Sequence, residues 1–238
     1  MTRLSVNINK WATLRNARGG NLPDLLKTAR RIEAVGGQGI TIHPRPDQRH
    51  IRYDDARQLK EVVTTELNIE GNPIDAFVRL IEEVRPGQVT LVPDGPDAVT
   101  SDHGWDTWEQ QDYLKDMISH FKSLGIRTSI FVDPDPHMVE GAAQTGTDRI
   151  ELYTESYARG YATDRKGAVR PFVQAAEEAR ELGLGLNAGH DLNLDNVGFF
   201  ARKVPELLEV SIGHALICES IDYGLENVIH MYLNRLLP

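Results

Sequence analysis

Eight short β-type runs recur along the chain, and helix-period segments fill the stretches between them. The runs are Leu4–Asn9, Gly39–Pro44, Glu66–Gly71, Gln88–Pro93, Arg127–Asp133, Arg149–Thr154, Gly183–Gly189 and Glu209–His214. Apolar residues at helical spacing lie between them: Leu22, Leu25, Leu26, Ala29 and Ile32 before Gly36-Gly37, and Tyr113, Leu114, Met117, Ile118, Phe121 and Leu124 before Gly125. Asn72 with Pro73 reads as the start of a third helix carrying Ala76, Phe77, Leu80, Ile81 and Val84. Leu225 to Leu236 carries the last one. Eight β-then-α units fit a (β/α)8 TIM barrel of the α/β class with extra helices. A doubly wound open sheet is the competitor, but no GxGxxG turn follows the first run, where a dinucleotide fold would place one. Nothing in the composition divides residues 1–238, so a single barrel domain is expected. The segment Glu155–Gly167 exceeds a typical βα loop and reads as a lid or an extra structural piece.

Charge narrows the partners. The formal net charge is −9, which argues against nucleic acid, because counterion displacement needs a broad basic face. The N-terminal residues lack the apolar core of a signal peptide, and no run approaches a membrane span. One cysteine, Cys218, excludes an internal disulfide and a Cys-based zinc site; its expected role is a small buried hydrophobe. A cytoplasmic protein is expected.

Active sites of such barrels form at the C-terminal ends of the strands. The first strand end brings Asn7 and Asn9, with Lys10, Arg15 and Arg18 in the following loop. The second brings His43, Arg45, Arg49 and His50. Glu70 ends the third, and Thr100 lies in the stretch after the fourth. Asp133, Glu151, Asn187, His190 and Gly213-His214 come from the remaining four. An arginine-rich, proline-stiffened loop on an acidic chain is a local anion site, since the guanidinium fork suits phosphate oxygens. The turns "NAGHD" and "SIGHA" offer a second one after strands seven and eight. Two anion sites suit two phosphorylated substrates or one bisphosphate. Glu70 alternates with Asn68 on the inward face of its strand. A buried carboxylate there is costly unless it is paired or protonated, which favours a functional role. Each residue also has a structural reading: a solvated ion-pairing loop, a satisfied core histidine at His43, an arginine partner at Glu151, a turn at Asp133-Pro134.

The motifs "VNIN…ATLRNARG" (Val6–Gly19), "GITIHPRPDQRHI" (Gly39–Ile51), "LNIEG" (Leu67–Gly71), "LVPD…VTSDHG" (Leu91–Gly104), "NAGHDL" (Asn187–Leu192) and "IGHALI" (Ile212–Ile217) together resemble the pyridoxine 5′-phosphate synthases of bacterial vitamin B6 biosynthesis. The resemblance covers essentially the whole chain. It implies a homo-octamer of (β/α)8 barrels that condenses 1-deoxy-D-xylulose 5-phosphate with 3-amino-2-oxopropyl phosphate. The products are pyridoxine 5′-phosphate, inorganic phosphate and water, and no metal or organic cofactor takes part. By motif position, His43 and Glu70 match the family's general bases and His190 its proton donor, with Glu151 a supporting carboxylate. Asn7, Arg18, Asp191, Gly213 and His214 fall at the amino-ketone phosphate site. Asn9, Lys10, Arg45, His50 and Thr100 fall at the deoxyxylulose phosphate site. Three departures stand out: Asn9-Lys10 where the pattern has Asp-His, Asp191 where it has glycine, and Cys218-Glu219 where it has Gly-Arg.

Two rival readings remain open here. His43, Glu70, Asp133, Glu151 and His190 could converge on a divalent ion in a metal-dependent isomerase or aldolase. Alternatively, the departures could mark a non-enzymatic paralogue that binds a phosphosugar without turnover.

Overall fold

A computed structural model describes residues 1–95 and 101–237 of the chain. Eight parallel strands, β1 (Arg3–Asn7), β2 (Gly39–Ile42), β3 (Leu67–Gly71), β4 (Gln88–Leu91), β5 (Arg127–Val132), β6 (Arg149–Tyr153), β7 (Gly185–His190) and β8 (Leu207–Ile212), close into a barrel in sequence order. All eight fall within about two residues of the sequence expectation. β1 pairs with both β2 and β8, so no edge is left open.

The helices are α1 (Asn9–Asn16), α2 (Leu25–Ala34), α3 (Tyr53–Val62), α4 (Asp75–Val84), α5 (Gln111–Ser123), α6 (Pro136–Gln144), α7 (Glu155–Glu181), α8 (Val197–Lys203), α9 (His214–Tyr223) and α10 (Leu225–Arg235). α2 starts at Asp24, whose side chain accepts the Lys27 N–H at 3.1 Å. α6 starts at Asp135 with Pro136 in its first turn. Among the described residues, no helix is long and apolar enough to cross a membrane.

Three local expectations change. Lys10 and Arg15 sit in helix α1 rather than in a loop. Arg15 is buried and fastens α1 to α3 through Asp55, with Nη1 and Nη2 donating to the two carboxylate oxygens at 2.6 and 2.8 Å. Asn72 does not cap α4: the cap position is Ile74, the Ile74 N–H turns back onto the Asn72 carbonyl, and the Asn72 amide donates to the Asp94 carbonyl at 3.1 Å. Glu155–Gly167 is helical, the first part of α7, which breaks at Asp164 (φ −148°, ψ 82°). It is an extra structural piece.

The core divides in two. Apolar strand residues such as Val6, Ile40, Ile42, Ile69, Val89, Ile130, Ile150 and Val210 are fully buried in the layer that joins sheet and helices. The alternate residues fill the barrel lumen, and these are largely polar. Ser5 and Thr41 share a hydroxyl bond of 2.7 Å, the Asn68 amide donates to Thr41, and Thr90 donates to Asn68 at 3.0 Å. The N-terminal end is plugged by charge: Arg3 pairs with Glu66 and Glu209 at 3.3 and 3.2 Å, and Arg127 pairs with Glu66. Branched apolar side chains usually fill such a lumen. Here period-2 alternation of apolar and polar residues gives the strands one dry face and one wet face.

Candidate active site

The C-terminal ends of the strands carry a hydrogen-bonded arc. Asn7, at the end of β1, donates through Nδ2 to Glu70 Oε2 at 3.5 Å, and its Oδ1 accepts the Asn9 N–H at 3.0 Å. Asn9 Oδ1 then accepts the His43 N–H at 2.9 Å. Glu70 on β3, Asn7 on β1, Asn9 at the start of α1 and His43 after β2 are thus held in one chain of contacts. The Asn9 departure is tolerated by this geometry, because an amide oxygen accepts a backbone N–H as a carboxylate oxygen does. Gly213 closes the ring beside Asn7. A side chain there would place its Cβ 3.1 Å from the Asn7 Cβ.

Glu70 is only 3% exposed, and its Oε2 lies 3.8 Å from His43 Nδ1, just beyond direct hydrogen-bond reach. Burial pushes its carboxyl well above the ordinary range; the charges of Glu151 and Asp94 add to this, and Arg45 opposes it. His43 moves the other way, well below the usual imidazole value, through burial and then the positive charge of Arg45. His190 is lowered to about 4, chiefly by burial. The fold thus disfavours charge on both kinds of group, holding the imidazoles toward their neutral form and the Glu70 carboxyl toward its protonated form. Proton acceptors and a donor sit side by side, as multi-step acid–base chemistry requires.

His190 is the last residue of β7 and has φ +79°, a conformation that costs a non-glycine residue about 1–3 kcal/mol. The rings of Phe131 and Tyr153 flank its imidazole, with centroids 5.1 and 5.8 Å away. The turn is pinned by Thr154, which donates to the Gly189 carbonyl and accepts the Asp191 N–H. Asp191 is exposed and shares its surroundings with Glu155 and His214. Its carboxyl end is partly shielded from solvent, which together with Glu155 raises its pKa against the pull of His214. Glu151 lies beneath the turn. Among the described residues its Oε1 has no hydrogen-bond partner, and a Cβ added at Gly189 would lie 2.6 Å from it; burial and Glu209 lift its pKa to about 8.

The β2–α3 loop forms the other wall. Arg45 is buried and pairs with Asp94. His50 is buried too, and its Nδ1 accepts the Ile51 N–H at 2.8 Å. That bond leaves the ring proton on Nε2, and burial together with Arg45 and Lys10 lowers the imidazole to about 4. Lys10 is exposed on α1 yet close enough to contribute that charge. Thr100 lies outside the described residues. Arg18 is exposed two residues beyond α1; among the described residues no hydrogen bond or ion pair joins its side chain to this group.

The Cys218-Glu219 departure has a structural role at Glu219. Glu219 accepts the Leu194 N–H at 3.1 Å and the Tyr232 hydroxyl at 2.5 Å, tying α9 to α10 and to the segment after β7. Cys218 is exposed, not buried, with Sγ 3.7 Å from His214 Nε2. An i,i+4 neighbour at the helix start leaves it on the outer face. Among the described residues, no group of three or more His, Cys, Asp or Glu side chains is placed to hold a metal ion.

Sequence reading missed two acidic residues. Asp94 lies three residues beyond β4, a strand-end position that alternation with Thr90 and Val92 could have flagged. Glu209 is buried in the lumen, in register with Arg3 on one side and Asn187 on the other. Its inward position follows from alternation with Ser211 and Gly213.

The barrel aligns with solved structures of distant sequence. N-(5′-phosphoribosyl)anthranilate isomerase from Pyrococcus furiosus superposes with a TM-score of 0.64 at 12% identity, over 99% of this chain and 98% of that one, a likeness of fold alone. Sequence relatives are much nearer. Proteins named pyridoxine 5′-phosphate synthase from Flavobacterium johnsoniae and Christiangramia forsetii are 65% and 61% identical, each over 99% of this chain and 100% of the relative. Residues 4–237 match the family model described as pyridoxal phosphate biosynthesis protein PdxJ, and the chain belongs to that family.

Proposed function

We propose that the protein is a pyridoxine 5′-phosphate synthase. It condenses 1-deoxy-D-xylulose 5-phosphate with 3-amino-2-oxopropyl phosphate and releases pyridoxine 5′-phosphate, phosphate and water, by acid–base catalysis without a metal or organic cofactor. The observation that carries the reading is the buried Glu70 beside His43, a carboxyl 3.8 Å from an imidazole at the strand ends, in a chain of this family. The amine of one substrate attacks the ketone of the other, and loss of water gives an imine joining them. Proton removal, phosphate loss, water addition and ring closure with loss of two further waters follow, so that two waters leave overall. His43 and Glu70 exchange protons with the carbons next to the imine, and His190 serves the leaving oxygen from the opposite wall. Bound phosphate dianions raise the histidines from their depressed values toward neutrality, which makes either one an acid when needed. Glu151 supports Glu70 from below.

Arg45, His50, Asn9, Lys10 and Thr100 hold the deoxyxylulose phosphate. Asn7, Arg18, Asp191, Gly213 and His214 hold the amino-ketone phosphate. Fixing both substrates converts a collision into a positioned encounter. The whole chain acts as one domain, in the cytoplasm, assembled as a homo-octamer.

Metal-free protein mixed with both substrates and followed by mass spectrometry should yield pyridoxine 5′-phosphate and phosphate in equal amounts. Glu70→Gln should fold normally and lose about 10²–10⁴ in turnover. Substrate binding without product would favour the non-enzymatic paralogue, and near-normal turnover in the variant would remove Glu70 from the mechanism.

A further inference from the structure

Asp94 has no part in the reaction as proposed, yet it is tied into the anion wall more closely than any other carboxylate near it. It is 7% exposed, and its Oδ2 accepts two bonds, from Arg45 Nη2 at 2.5 Å and from Ser101 Oγ at 2.7 Å. Its own carbonyl accepts from the Asn72 amide. One residue thus joins the β2–α3 loop, the β3–α4 turn and the segment that leads to α5. Arg45 and Asp94 are both buried, so the pair is desolvated and its short contact is strong.

The inference rests on the assignment of Arg45 to a substrate phosphoryl group. A carboxylate and a phosphoryl group ask the same thing of a guanidinium: anionic oxygens in its plane, along its N–H bonds. The Nη2–H that faces Asp94 Oδ2 cannot make a full bond to a second anion from the same direction. We propose that Asp94 is a positioning residue that stands in for the substrate phosphoryl at Arg45. Before substrate arrives it balances and orients the guanidinium, whose burial without a counter-charge would be costly. An arriving phosphate dianion, with three oxygens and more charge, takes over the Nη2 bond, and Asp94 Oδ2 keeps Ser101. The arrangement also sets specificity. A dianionic phosphate ester can displace a monoanionic carboxylate from the guanidinium, whereas a hydroxyl or a substrate carboxylate gains little by doing so.

The direction of the Asp94→Asn effect separates this role from a merely structural one. Removing a residue that only props up the site weakens ligand binding, but removing a competitor strengthens it. Calorimetric titration of the full chain with inorganic phosphate, for wild type, Asp94→Asn, Arg45→Gln and the double variant, reads this directly. Thermal melts alongside establish that each variant is folded, and Asp94→Ser serves as a second removal of the charge. Asp94→Asn and Asp94→Ser should each tighten phosphate about tenfold, a shift within the range of interacting charge pairs. Arg45→Gln should weaken phosphate and cancel the gain in the double variant, and Asp94→Glu should return affinity toward wild type. If Arg45→Gln weakens phosphate but both Asp94 variants bind it equally or less well, Asp94 is a fixed strut and the stand-in role is wrong. If Arg45→Gln leaves phosphate binding untouched, the assignment of Arg45 to a phosphoryl group fails first.

Discussion

Single side chains in the lumen set the ionisation of the site. Among the described residues Glu151 has no partner for Oε1, and its pKa is raised to about 8, against an unfolded carboxyl value of about 4.3. Between those values the folded chain holds a proton that the unfolded chain has released, so this group's contribution to stability falls as pH rises through that window, by up to about 1.4 kcal/mol per pH unit. Glutamine carries no such proton. The stability of Glu151→Gln relative to wild type should therefore grow from pH 5 to pH 8 and then level off, as read from urea midpoints at several pH values. His43, His50 and His190 act in the opposite sense, since their folded values are depressed and stability is lost as pH falls below about 6.5. They are common to both proteins and drop out of the comparison. A difference independent of pH would mean that Glu151 is ionised in the fold. At this scale the sequence was informative: Glu70 was legible as a buried inward carboxylate from strand alternation alone. The buried partners of Arg45 were not, because an arginine in a proline-rich loop looks the same whether it faces water or Asp94.

Whole elements depend on a few close approaches. Gly104 sits on the end of β5, where an added Cβ would lie 2.4 Å from both the Val132 Cα and the Asp133 N. Backbone cannot yield as a flexible side chain can. Gly104→Ala should lift the segment that carries Ser101 and Trp105, breaking the Trp105 N–H bond to the Phe131 carbonyl (2.9 Å). The barrel's circular dichroism should stay normal while turnover drops at least about tenfold, as small displacements of positioning groups do; unchanged turnover would show the contact to be slack. Strands were easy to read, because β-branched runs that stop at polar residues are local signals. α1 was not. Its buried side is Trp11, Ala12 and Arg15, and a charged residue on the inner stripe disguises the helical period. The burial of Arg15 is offset by the Asp55 carboxylate, forty positions away, while the Asn16 side chain and the His50 carbonyl accept its other N–H groups. Asn72 likewise has the residue type of a helix cap, but its amide is taken by Asp94 across the loop.

At the scale of the molecule, the helices added to the barrel leave apolar surface uncovered. Ile221 on α9 is 80% exposed, and Tyr223 on the same helix and Leu14 on α1, which packs against α9, are exposed too. Association of copies would cover such residues. If the proposed octamer uses this face, Ile221→Glu should reduce the assembled mass in light scattering while leaving the thermal unfolding cooperative; an unchanged mass would place the interface elsewhere. The amino-acid sequence by itself determined the class of fold and the inventory of chemistry. Alternation gave each strand an apolar and a polar side, turn residues marked the ends, and the order of eight units left the closed barrel as the simplest way to bury them. These are properties of neighbours along the chain. Tertiary structure alone decided which polar residues meet: that Asn9 reaches the backbone of His43, that Glu209 lies beside Arg3 and Glu151 near it, and that Asp94 occupies Arg45. Those contacts depend on closure and register across strands far apart in sequence. Burial then sets the protonation of each group, and burial is a property of the folded whole.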